Sequence, residues 1–193
     1  GRTAVAISAG QDRTCVILDN RHVRCWGQGS SIGTVSPDQI GDDEFPNQDI
    51  GDVDLGGATA RGITTGQLHS CATLSTGGTR CWGAGLGLGL ADDGLSSLGD
   101  VDLAQPPRPG TAAVAAGFSH TCALLDDNTV KCWGDGTAGQ LGQDSTTNLG
   151  DAPGEMAALG PVNLRAGRTA TAIAAGDFHT CAVLDNSTVK CWG

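Results

Sequence analysis

The apolar positions of this chain come in short runs, closed by glycine and polar residues. Ala112–Ala116 is one such run, small and apolar, and Gly117 ends it. A strand pattern follows at Thr121–Leu125, then a polar turn, Asp126-Asp127-Asn128, then a second strand at Thr129–Gly134. Three-residue hairpin loops place their last residue in the left-handed region. Asn128 and Gly77 suit that position, whereas Arg21 and Ser187 suit it less well. The pattern predicts short strands and tight turns rather than helices.

The same pattern recurs along the chain. Cys-Trp-Gly stands at Cys25-Trp26-Gly27, Cys81-Trp82-Gly83, Cys132-Trp133-Gly134 and Cys191-Trp192-Gly193. A second cysteine lies ten positions earlier each time, at Cys15, Cys71, Cys122 and Cys181. Residues 1–10 nearly copy residues 167–176. The chain therefore divides into repeats at 1–56, 57–107 and 108–166, with a truncated fourth at 167–193.

Pairing Leu125 with Thr129 sets Cys122 opposite Cys132, and the same count applies in every unit. Cross-strand neighbours are close enough for a disulfide. The expected bridges are Cys15–Cys25, Cys71–Cys81, Cys122–Cys132 and Cys181–Cys191. The alternatives are free thiols or a metal site, but zinc knuckles use Cys-x₂₋₄-Cys, unlike the gap here. Persistent disulfides imply an oxidising compartment, so the expected location is extracellular or the cell envelope.

Composition narrows the function classes. The 193 residues carry a net charge of −10, and such an acidic surface repels nucleic acid. No run approaches a membrane span. Aromatic residues make up only 4%, with no tyrosine, and glycine reaches 31 residues. The missing initial Met and signal peptide suggest a chain that begins inside a larger product or after processing.

The run GFSHTCALLDDNTVKCWGDGTAGQLG, residues 117–142, resembles a repeat of the regulator of chromosome condensation family. The shared features are a glycine, His-Thr, an apolar strand, a turn, Trp-Gly and Gly-Gln-Leu-Gly. Units one and two keep the hairpin but lack Gly-Gln-Leu-Gly, and unit one has Arg13 where the others have His69, His120 and His179. The paired cysteines are more similar to those of exported bacterial members than to the nuclear ones. The resemblance implies an all-β fold of four-stranded propeller blades round an axis, usually seven. Four units then make a partial propeller, or one completed by oligomerisation. The runs at 4–9, 60–65, 112–116 and 170–175 are mostly small, as the crowded innermost strand requires. Trp26, Trp82, Trp133 and Trp192 each follow a cysteine and so face the other side of the strand, where they can pack on a neighbouring blade.

Several residues are candidates for chemistry. His69, His120 and His179 share one position; they either form an imidazole ring for metal or protons, or play a structural part by bonding backbone, as the resemblance implies. Arg24, Arg80, Lys131 and Lys190 share the tryptophan face and can cover the indole or bind an anion. Asp42, Asp43, Glu44, Asp92 and Asp93 are weak calcium candidates without an EF-hand pattern. No nucleophile motif is present and every cysteine is expected in a bridge, so no enzyme and no cofactor is expected.

The reading is a secreted, non-enzymatic binding or structural module. It acts through its inter-blade loops on a protein partner or on copies of itself. The alternative is a carbohydrate-binding propeller, disfavoured because Phe45 is the only aromatic residue in a connecting loop.

Overall fold

The structure, a computed structural model, describes residues 1–27, 51–89, 99–101, 103 and 110–193. Asp42, Asp43, Glu44, Phe45, Asp92 and Asp93 lie outside the described residues.

The first blade contains β1 (Ala4–Ala9), β2 (Arg13–Leu18) and β3 (Val23–Gly27). The second contains β4 (Ala60–Thr65), β5 (His69–Leu74), β6 (Thr79–Gly83) and a two-residue β7 (Gly99–Asp100). The third contains β8 (Thr111–Ala116), β9 (His120–Leu125) and β10 (Val130–Gly134), followed by the one-turn helix α1 (Glu155–Ala158). The fourth contains β11 (Ala170–Ala175), β12 (Thr180–Leu184) and β13 (Val189–Trp192). Each blade is an antiparallel meander, and consecutive blades stack into part of a β-propeller.

The hairpin turns are uniform. Arg21, Gly77, Asn128 and Ser187 all have positive φ, between 63° and 88°. Arg21 and Ser187 thus adopt the left-handed turn despite carrying a Cβ. The turn sets Cys15 opposite Cys25, Cys71 opposite Cys81, Cys122 opposite Cys132 and Cys181 opposite Cys191. All four pairs are disulfide-bonded, with Cα–Cα distances of 4.0–4.1 Å, and no cysteine is free.

Each innermost strand also carries a register shift near its start, as between Thr111 and Ala113. Such bulges add local twist, which suits strands fanned round an axis. Glycine is required where the blades meet there. A Cβ on Gly117 would lie 2.5 Å from both the Gly176 carbonyl oxygen and His120 Nδ1.

The expected four-stranded form is seen in blade two. Among the described residues only β7 adds a fourth strand, pairing two residues with β6. In the first three blades the chain returns through a short motif of a valine and, two positions on, a leucine: Val53 and Leu55, Val101 and Leu103, Val162 and Leu164. Its valine N–H donates one bond to the third strand, to Val23, Thr79 and Val130 respectively. Its valine and leucine side chains are buried. These two apolar anchors and one hydrogen bond fix the returning chain to the third strand in each of the three.

The core lies between blades. Cys15, Ile17, Val23 and Cys25 of blade one pack against Ala60, Ala72, Leu74 and Trp82 of blade two, with Val53 and Leu55. Equivalent layers join blades two to three and three to four. Blades one to three therefore turn their disulfide faces to the next blade, and blades two to four turn their tryptophan faces to the previous one.

Candidate functional site

The hydroxyl residue before each first cysteine organises these interfaces. His69 Nε2 lies 2.7 Å from Thr121 Oγ1 in the next blade, and Thr121 Oγ1 donates to the Gly87 carbonyl at 2.7 Å. Trp133 Nε1 donates to the same carbonyl at 3.0 Å. The set recurs one blade later. His120 Nε2 meets Thr180 Oγ1 at 2.9 Å, while Thr180 Oγ1 and Trp192 Nε1 both donate to the Gln140 carbonyl. Because each threonine proton goes to a carbonyl, the imidazole must donate from Nε2–H, leaving Nδ1 unprotonated. Among the described residues Nδ1 of His69 and of His120 has no hydrogen-bond partner, as this neutral tautomer allows.

Burial is the main reason these histidines stay neutral. It pushes His69 down to about 3, helped by the charges of Arg13 and His120. It pushes His120 down to about 4, with Asp135 opposing and His179 assisting. The sequence implied a histidine bonded to backbone. The structure instead shows a bond to a threonine of the next blade, which then reaches a carbonyl. Thr14, Ser70, Thr121 and Thr180 carried that signal as a hydroxyl before every first cysteine. Arg13 takes the histidine position in blade one and also crosses to the next blade, donating from Nη2 to the Gln67 carbonyl at 2.7 Å. Burial lowers its guanidinium to about 10 against the pull of Asp12.

Blade two contains a counterpart of Gly-Gln-Leu-Gly that the sequence reading missed. Leu86-Gly87-Leu88-Gly89 follows Trp82 two positions earlier than Gly139-Gln140-Leu141-Gly142 follows Trp133. A Cβ on Gly89 would lie 2.6 Å from Trp133 Nε1, just as one on Gly142 would lie 2.9 Å from Trp192 Nε1. Leu88 and Leu141 are both buried. The glycine-rich stretch is therefore a seat for the next blade's indole.

The basic residues beside the tryptophans reach outer segments. Lys131 Nζ donates to the Leu103 carbonyl and Lys190 Nζ to the Asn163 carbonyl, each in the preceding unit. A Cβ on Gly56 would meet Arg80 Nη1 at 2.6 Å, which puts Arg80 against the same segment of unit one. Arg24 Nε bonds Asp52 at 2.7 Å in its own unit.

Among the described residues, variable side chains from all four blades converge at one end of the propeller axis. There the turns after the innermost strands form an open cleft of about 370 Å³. Gly10-Gln11, Gly66-Gln67, Gly117-Phe118 and Gly176-Asp177 line it, one pair from each blade. Gln67 Nε2 donates to Gln11 Oε1 at 2.7 Å. Phe118 and Phe178 stack with centroids 5.3 Å apart, and Phe178 is 49% exposed. Sequence reading counted Phe45 as the loop aromatic and missed this pair, because the two phenylalanines are 60 residues apart. Among the described residues no three His, Cys, Asp or Glu side chains are placed to hold a metal ion.

Residues 4–31, 112–140 and 170–193 match the Regulator of chromosome condensation (RCC1) repeat, and the fold is the RCC1-like propeller fold. The chain is 30% identical over 185 residues to the human E3 ubiquitin-protein ligase HERC2, a match covering 92% of this chain and 4% of that protein. Human WBSCR16 superposes with a TM-score of 0.78 at 18% identity, over 99% of this chain and 48% of that one. Yeast RCC1 (Prp20), solved with Kap60 bound, superposes with a TM-score of 0.72 at 19% identity, over 98% of this chain and 43% of that one. The chain thus spans less than half the length of each.

Proposed function

We propose that this chain is a non-catalytic protein-interaction module of an exported, disulfide-bonded RCC1-type propeller. Its partner binds at the axial cleft and the connections between blades. The observation that carries this reading is the exposed Phe118–Phe178 stack beside Asp177 and the Gln11–Gln67 pair. Partly exposed aromatic side chains rimmed by polar groups are the usual anchors of protein interfaces. The RCC1-like fold of Kap60-bound Prp20 supports it. The described titratable residues fit a binding role too: the cysteines are bridged, and His69 and His120 are sealed between blades. The four disulfides support an extracellular or cell-envelope setting.

The test is affinity capture from the exported fraction of the source cells, comparing the native chain with a Phe118→Ser, Phe178→Ser variant. Capture of one dominant protein, with at least about tenfold weaker binding by the variant, is expected, since truncating interface anchors costs ≥2 kcal/mol. Equal binding by both chains overturns the role of the cleft. A glycan-array signal lost in the variant, with no protein captured, makes the stack a sugar platform instead.

A further inference from the structure

The charges of the chain are segregated along the propeller axis. The innermost strands end at the axial cleft. The third strands end there too, since Gly27, Gly83 and Gly134 pair with Arg13, His69 and His120. The connections leave from this end, and residues 28–51, 84–98 and 135–154 contain no lysine or arginine. Among the described basic residues, Arg2, Arg21, Arg61, Arg165 and Arg168 stand at the opposite end, around the starts of the innermost strands or in a hairpin turn. The four beside the tryptophans are each the second residue of a third strand, and those strands begin at that opposite end. Of the described basic residues only Arg13 reaches the cleft end. It is 4% exposed, and its Nη2 is bonded to the Gln67 carbonyl.

The carboxylates at the cleft end face solvent. Asp12 and Asp177 are exposed and Asp135 is partly exposed. Asp177 lines the cleft beside the Phe118–Phe178 stack, and its carbonyl accepts the Phe118 N–H at 3.1 Å, which ties the two turns together. Apolar exposure at this level is a property of the interior blades as well. Leu68 holds the place of Phe178 in blade two, which has a blade on either side, and it is 38% exposed. An aromatic face next to a carboxylate suits a cation, because the ring quadrupole and the negative charge attract it together. Resting on the protein-interaction reading above, we propose that the cleft takes an arginine- or lysine-bearing segment of a basic protein. Its cationic group lies on the exposed face of the Phe118–Phe178 stack and pairs with Asp177. On a chain of net charge −10, an end with open carboxylates and its one described basic side chain buried steers such a partner to the cleft and repels acidic ones.

Anisotropy titration with fluorescein-labelled nona-arginine tests this, with nona-glutamate and a Gly-Ser peptide of equal length as controls. Nona-arginine alone should bind, and more weakly as salt rises from about 0.05 to 0.5 M. Asp12→Asn with Asp177→Asn should weaken it about fivefold or more, and so should Phe118→Ser with Phe178→Ser. Asp126→Asn with Asp127→Asn removes the same charge at the opposite end and should change binding by less than about twofold. Retention of all four disulfides and of the native circular dichroism shows that each variant is folded. No binding of nona-arginine, binding of all three peptides, or equal weakening by the two pairs of asparagine substitutions overturns the proposal. A protein captured through Phe118 and Phe178 that tolerates Asp12→Asn with Asp177→Asn also overturns it, while the cleft stands as a protein site. Nona-arginine binding that needs Asp177, with no protein captured, keeps the cation site and overturns the protein partner.

Discussion

Arg21 and Ser187 show how a tertiary constraint overrides local preference. A non-glycine residue in the left-handed region costs about 1–2 kcal/mol. Both residues adopt it because the hairpin register that aligns the cysteines demands a turn of that shape. Ser187 is exposed, so replacing it with glycine relieves the strain at little other cost. Ser187→Gly should raise stability by about 0.5–1 kcal/mol and the melting temperature by about 1–4 °C. A calorimetric scan showing an unchanged or lower temperature would mean that the turn holds no such strain. Asn128 and Gly77 occupy the same position with side chains suited to it, which is why those two turns were legible in the sequence.

The paired strands and their bridges were readable because everything that fixes them lies within one ten-residue span. The links between blades were not. His69 finds Thr121 across 52 residues and His120 finds Thr180 across 60, and Val53, Val101 and Val162 become edge anchors only when the chain returns to the hairpin. A repeat comparison extended to those valines and threonines contains the signal, but single residues of common type do not stand out as Cys-Trp-Gly does. These links make the interface sensitive to acid. An unfolded histidine takes up its proton near 6.5, whereas His69 and His120 resist it until about 3 and 4. Between those values the unfolded chain holds more protons, so this part of the stability is complete above about pH 6.5 and is lost as pH falls towards 4. Each histidine should contribute a slope of about 1.4 kcal/mol per pH unit. Urea midpoints measured from pH 4.5 to 7.5 should fall with acidity. The fall should flatten in a His69→Asn, His120→Asn variant, which keeps an N–H donor but cannot titrate. A native profile already flat would show that the imidazoles are hydrated.

The whole molecule is a stack of equivalent layers, and its stability is a sum of blades and the contacts between them. That additivity gives the four chemically identical bridges different accessibilities. The first three are sealed by the following blade, with Cys15, Cys25, Cys71, Cys81, Cys122 and Cys132 fully buried, whereas Cys191 is exposed and Cys181 is partly exposed. Reduction requires a thiolate to approach a sulfur directly, so access controls the order of opening. Limiting dithiothreitol followed by alkylation and peptide mass mapping should label Cys181 and Cys191 first. Label at the other six should appear only when urea opens the stack. Losing the first bridge removes about 2–3 kcal/mol of loop-closure stabilisation, yet leaves three layers intact. The native fluorescence of the remaining blades should therefore survive it. Simultaneous labelling of all eight cysteines would show that the layers open as one cooperative unit.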